Sequence, residues 1–314
     1  MKKVLLSSMI VFMLMLLAAC GQSENTSDSG SESGNEDPKQ EKKEELTALQ
    51  VIEKSGKTMQ NWPGMEYSMD LNQNITATKG DQTKKMKTQM TMDTKMKMDP
   101  MSMYMSGQTK ANGQTIPVEN YYLDGTMYTK TPQETWIGIK GMNLEQMQKQ
   151  SQGKNPSKTL DQFKNILKQF SDNEKSNKFV TMKKQDGMYV VTMDLNEKAS
   201  QKVLEQGLKQ VKDSLGSLKQ MGIAQSLNKM KIKHLKQTFY IDQKTFEQNK
   251  MEQKMTMEMP MNGIKMTIDQ EMAMEITGKV EKPISVPKKI KQNAKTISMK
   301  QLQKIQKQQQ KQPK

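Results

Sequence analysis

Two tracts of this chain alternate methionine with polar residues at period two, a pattern that leaves little choice but β-structure. The first, Lys84–Met105, reads KKMKTQMTMDTKMKMDPMSMYM. Met86, Met90, Met92, Met96 and Met98 share one parity, with Thr88 and Thr94 in the gaps. After Pro100 the parity passes to Met101, Met103 and Met105. The second tract runs from Met251 to Ile276. Met251, Met255, Met257, Met259 and Met261 take odd positions; beyond Asn262-Gly263, Ile264, Met266, Ile268, Met272, Met274 and Ile276 take even ones. Successive side chains of a strand point to opposite faces, so each tract predicts strands with one apolar face. Both read as antiparallel hairpins. The first turns at Asp99-Pro100 and the second at Asn262-Gly263, a strong hairpin dipeptide.

The rest of the chain fits a sheet with helices inserted into it. An amphipathic helix over 46–62 presents Leu46, Leu49, Ile52 and Met59 on one side, and Asn61-Trp62-Pro63-Gly64 stops it. Met65, Tyr67, Met69, Leu71 and Ile75 alternate as a strand. Gly107–Gln114 reads as a polar turn, Asp124-Gly125 as a hairpin turn, and Thr131-Pro132-Gln133 as another. Helical spacing then covers 142–152, 158–170 and 196–230, with a hairpin over 179–195 that turns at Asp186-Gly187. Only 33% of the chain is hydrophobic. That is too little for a thick two-sided core and suits one sheet with one apolar face over a few helices.

The N-terminus reads MKKVLLSSMIVFMLMLLAAC. Two lysines precede an apolar run too short to span a membrane stably, which is a signal-peptide pattern. Leu17-Ala18-Ala19-Cys20 resembles a bacterial lipobox, which implies cleavage after residue 19 and diacylglycerol on Cys20. Cys20 is the only cysteine, so no disulfide within the chain can staple the fold. Gly21–Glu45 holds no Val, Ile, Leu, Met or aromatic residue and reads as a disordered tether. The expected layout is a signal over 1–19, lipidated Cys20 and tether over 20–45, one domain over 46–295, and a basic Lys/Gln-rich tail over 296–314. The expected location is the extracytoplasmic face of a cell membrane, with the protein monomeric and held by its lipid.

The formal net charge is +15, and all 49 basic residues are lysine. Lysine is a point charge without the bidentate fork of arginine, so a lysine-only chain with 5% aromatics is a poor nucleic-acid reader. The single histidine, His234, and the lone cysteine argue against nucleophilic triads and zinc sites. No phosphate-binding or metalloprotease spacing occurs. The expectation is a non-enzyme with no cofactor and no metal, and with no nucleic-acid partner.

Three readings of the methionines compete. They can be plain core, standing in for Leu and Ile. They can line a pliable apolar groove, since unbranched thioethers re-pack around varied ligands. They can bind Cu(I), for which thioethers are soft donors; yet strand spacing alone produces Met-x-Met. The groove set is Met86, Met90, Met92, Met96, Met98, Met101, Met103, Met105, Met255, Met257, Met259, Met266, Met272 and Met274.

The lipobox and tether, the opening helix and the tracts Tyr121-Tyr122-Leu123-Asp124-Gly125-Thr126-Met127-Tyr128 with Trp136, Tyr240–Phe246 and Ile284-Ser285-Val286-Pro287 resemble the LolA/LppX-type lipoprotein carriers. More narrowly, they resemble the Gram-positive lipoproteins of that superfamily known as domains of unknown function. The resemblance covers about 46–295. It implies an α+β fold in which a strongly curved antiparallel sheet, a half-barrel of about 11 strands, wraps around helices. It also implies an apolar groove for an acyl chain or a lipidated partner protein. The alternatives are a copper-buffering lipoprotein and a structural, partner-binding one.

Overall fold

The computed structural model describes residues 45–142, 144, 179–210, 229–261, 263–298 and 301–302. The expected signal, the tether up to residue 44, the helix over 142–152 except 142 and 144, the helix over 158–170, residues 211–228 of the 196–230 tract and most of the tail lie outside the described residues.

Helix α1 spans Ala48–Gln60. Its start is a capping box: the Thr47 hydroxyl accepts from the Gln50 backbone N–H, and the Thr47 N–H donates to the Gln50 side chain at 2.8 Å, so two of the orphan donors of a helix start are satisfied. The buried centre of α1 is Val51, packed with Val191 and Ile241. The residues expected to form that face, Leu46, Leu49, Ile52 and Met59, are half-buried around it.

Twelve strands follow among the described residues, all in one sheet. They are β1 (Gly64–Lys79), β2 (Gln82–Lys97), β3 (Ser102–Ala111), β4 (Gln114–Leu123), β5 (Thr126–Lys130) and β6 (Trp136–Lys140). After these come β7 (Val180–Gln185), β8 (Met188–Leu195), helix α2 (Glu197–Gln210), β9 (Lys231–Asp242), β10 (Gln248–Met261) and β11 (Ile264–Lys279). Helix α3 (Lys288–Asn293) and β12 (Lys295–Ser298) end the order. The sheet order is β12-β6-β5-β4-β3-β2-β1-β11-β10-β9-β8-β7, every pair antiparallel except β12 on β6. Strand β11 thus inserts beside β1 and joins the two meanders at mid-sheet.

The hairpin turns fall where the sequence places them. Asp124-Gly125 and Asp186-Gly187 take positive φ at both residues, as a two-residue hairpin turn needs. The expected polar turn over Gly107–Gln114 is corrected: β3 continues to Ala111, and only Asn112-Gly113 turns. β3 is paired on both sides, to β2 and β4, so cross-strand bonding holds its polar residues in the strand. Gly107 is required there, because a Cβ would stand 2.0 Å from the Thr91 carbonyl oxygen.

The expected basic tail also begins inside the sheet. Residues 295–298 form β12 along the β6 edge, so the tail boundary at 296 is moved outward. The route to that edge starts at Val280, whose N–H donates to the Gly64 carbonyl. Farther on, the Ile284 N–H donates to the buried Ser102 hydroxyl at 2.9 Å. Among the described residues no helix is long and apolar enough to cross a membrane.

Candidate functional site

Registers across the sheet turn the period-two pattern into rows on one face. One row runs Phe239, Met251, Met274, Met69, Met92, Gly107, Val118 from β9 to β4. Gly107 contributes no side chain, and Val118 packs against the Met92 cluster. Further rows carry Met257, Ile268, Ile75 and Met86, then Met259 and Met266. Toward the other end lie Met105 beside Thr94, and Met65, Met96, Met103 and Tyr122. The two tracts, far apart in sequence, therefore share a single apolar face.

Their environments differ. Met92, Met101, Met257, Met259, Met266 and Met272 are buried. Met86, Met90, Met96, Met98, Met103, Met105, Met255 and Met274 are half-buried. Helix α2 lays Ala199 and Leu204 into the cluster that holds Met193, Leu195, Leu235, Met257, Met266 and Ile268. α1 packs at the β8–β9 end. The cluster of Met69, Leu71, Met92, Met251 and Met272 has only strand residues among its described members.

A polar band that the sequence reading did not single out crosses this face. Gln73 donates to Gln270 at 2.8 Å, and Gln237 to Gln253 at 2.8 Å; all four side chains are buried. Gln73 and Gln270 face each other in one row, Gln237 and Gln253 in the next, and Thr88 extends the first. The band lies between the α2-covered cluster and the Met69–Met92 cluster. An unpartnered buried amide would cost about 1–3 kcal/mol, so cross-strand pairing is what lets glutamine sit among thioethers.

The opposite face is polar. Over β9–β11 its lysines are tied to acids: Lys254 to Glu271 at 2.8 Å, Lys265 to Glu258 at 3.1 Å, Lys250 to Glu252 at 2.9 Å and Lys236 to Asp194 at 3.8 Å. The hydrogen bond from Lys250 holds the Glu252 carboxyl below the usual carboxylate range, and Lys265 does the same for Glu258. His234 sits on this face, its Nε2 2.7 Å from Asp194 Oδ1. Over β3–β6 the same side carries Tyr104 and Tyr121, ring centroids 4.6 Å apart, with Trp136 5.8 Å beyond. Burial, followed by the neighbouring Tyr104, pushes the Tyr121 hydroxyl up. Among the described residues no group of three His, Cys, Asp or Glu could hold a metal ion.

At the Tyr240–Phe246 tract, Asp242 accepts from the backbone N–H groups of Lys244 and Thr245, both at 2.8 Å. Those bonds hold its carboxyl below the usual range. The turn places Phe246 against Tyr189, with the Lys54 ammonium of α1 5.0 Å from its ring centroid. This motif is thus a structural clasp between α1 and the β8–β10 end.

These features define a large open-sheet protein with one methionine-rich apolar face crossed by paired amides. The chain belongs to the family described as "Family of unknown function (DUF6612)", whose model matches residues 47–295, from the cap of α1 to the first residue of β12. No curated protein matches the chain. Among solved structures it is similar to one titled "Lipid-protein interactions in lipovitellin", at 8% identity and a TM-score of 0.26. The match covers 71% of this chain but only 26% of that one. It is also similar to a DUF1329 family protein from Desulfovibrio piger, at 9% identity and a TM-score of 0.20, covering 71% of this chain and 89% of that one. Superposition at that level carries neither ligand nor mechanism to this chain.

Proposed function

We infer that this protein is a non-catalytic, extracytoplasmic lipoprotein that binds an acyl chain or similar apolar ligand on the methionine face of β1–β4. The observation that carries the reading is the half-buried stripe of Met86, Met90, Met96, Met103 and Met105 on the apolar face of β2 and β3. Flexible thioethers there can close on chains of different length, each covered Å² contributing about 25 cal/mol before ordering costs. On this reading Cys20 carries the membrane anchor, residues 21–45 are a tether, and the sheet curves as in LolA/LppX-type carriers. Native mass spectrometry of the body beginning at Gly21 tests it. The expected result is a co-purifying lipid, or uptake of a fluorescent fatty acid at one equivalent. An empty protein that takes up neither sinks the reading.

A second reading rests on the adjacent cross-strand positions of Met251, Met274, Met69 and Met92. Neighbouring thioethers in that row are soft donors for Cu(I). Stoichiometric sub-micromolar Cu(I) binding under anaerobic titration would favour it over the lipid reading.

A further inference from the structure

Strand β2 outruns its neighbour. Its last pair with β3 is Thr88 with Ala111, so, among the described residues, 82–87 pair with β1 alone. The β3–β4 turn ends short of them and leaves a notch of about 310 Å³, at the low end of small-ligand pockets. Lys85, Met86 and Lys87 line one wall; Lys110, Ala111 and the turn line the other.

Two features set this notch apart. Its three lysines form no ion pair among the described residues, unlike Lys250, Lys254 and Lys265 on the same side of the sheet. The carboxylates along their rows lie two or three strands away and are already engaged: Asp269 by Thr256, Glu258 by Lys265 and Lys233, and Glu271 by Lys254. In addition, Met86 both lines the notch and packs against the core cluster of Ile75 and Met266. Lys85 and Lys87 stand on the polar side of β2 and Met86 on the apolar side, so the two sides adjoin only at the open edge of residues 82–87, where the stripe Met86, Met90, Met92, Met96 begins.

We propose that the notch holds the anionic headgroup, a phosphate or carboxylate, of an amphiphile whose chain lies along the β2 methionines. The ammonium groups of Lys85, Lys87 and Lys110 supply charge-assisted hydrogen bonds to its oxygens. The chain reaches the methionine side by passing over the open edge at Met86, and the long lysine stems let the ammonium groups reach that edge. The inference rests on the apolar-ligand reading and deepens it from any apolar ligand to an acidic one. Lysines at an exposed strand edge also discourage edge-to-edge pairing, a role that confers no headgroup preference.

The test uses the full-length chain in phosphatidylcholine nanodiscs, with empty nanodiscs subtracted. The probes are dodecyl phosphate, dodecanol and inorganic phosphate. The unaltered protein is expected to bind dodecyl phosphate at least about tenfold more tightly than dodecanol. The combined Lys85→Gln, Lys87→Gln, Lys110→Gln variant is expected to bring the two within about twofold by the same reasoning, with dodecanol binding unchanged. The corresponding Lys→Arg variant keeps the preference and controls for folding. Equal binding of the two dodecyl probes, or a preference that survives the glutamine variant, overturns the headgroup site and leaves the apolar site standing. Inorganic phosphate binding as tightly as dodecyl phosphate, through the same lysines, overturns it in favour of a free-anion site. If neither dodecyl probe binds, the apolar-ligand reading fails and this inference with it.

Discussion

The two methionine hairpins carry the same alternation and meet different fates. In β10–β11, Met257, Met259, Met266 and Met272 are buried, α2 packs on the cluster that holds Met257 and Met266, and the polar side is laced with lysine–carboxylate pairs. In β2–β3 only Met92 and Met101 are buried; the other six candidates are half-buried, and Lys84, Lys85, Lys87 and Lys110 form no ion pair among the described residues. Period two dictates a strand with an apolar side. What covers that side is decided by elements elsewhere in the chain. One hairpin therefore serves as core, and the other is where the apolar-ligand reading places its guest.

If that contrast holds, truncation separates the two hairpins most sharply. Met257→Ala, at a site 2% exposed under α2, should cost about 2–5 kcal/mol of stability. Met90→Ala should cost only about 1 kcal/mol, because a half-buried side chain loses less transfer energy and leaves no closed cavity. Urea denaturation of both variants checks this, and equal losses would erase the distinction.

The amide band offers a second, smaller lever. Gln253→Leu strands the buried Gln237 amide and should cost about 1–3 kcal/mol, whereas Gln237→Leu with Gln253→Leu together should be near neutral. A double-mutant cycle in thermal denaturation measures the coupling. Additive losses would mean that the pair is not what satisfies these groups.

Much of this was legible in the sequence, and what was not has a physical reason. The strand faces, the Asp124-Gly125 and Asp186-Gly187 turns and the order of α1, α2 and β1–β11 follow from local periodicity and turn chemistry. The band did not, because Gln73 finds its partner 197 residues away, and a lone glutamine at an inward parity reads only as an interruption. Val51 stands beside the Leu46–Leu49–Ile52 pattern, and only its packing with Val191 and Ile241 marks it as the helix centre. The end of β3 and all of β12 are not legible in the sequence, because polar residues held by pairing on neighbouring strands carry no apolar signature. For the candidate site, the sequence located the methionines, but neither the division between buried and half-buried nor the notch beside Met86 was visible without the register.

The smallest effect lies on the polar side. Glu252 and Glu258 have folded values below the ordinary carboxylate value. Their contribution to stability is therefore complete above the unfolded value of about 4.3 and is lost as pH falls through the lower folded values. Both are surface pairs, each contributing roughly 0–1 kcal/mol. A shallow, salt-sensitive drop in melting temperature below about pH 4.3 is expected, and Lys265→Gln with Lys250→Gln should flatten it. A drop of unchanged size in that variant would place the acid sensitivity elsewhere.

Methionine oxidation reads the central contrast directly, since exposed thioethers oxidise to sulfoxide and buried ones resist. Peptide mass spectrometry after brief peroxide treatment, with and without palmitate, follows each side chain. The account predicts fast oxidation at Met86, Met90, Met96, Met103 and Met105, suppressed by palmitate, and slow, palmitate-independent oxidation at Met257, Met259, Met266 and Met272. Equal rates in the two hairpins, or no protection of the first by palmitate, would contradict it.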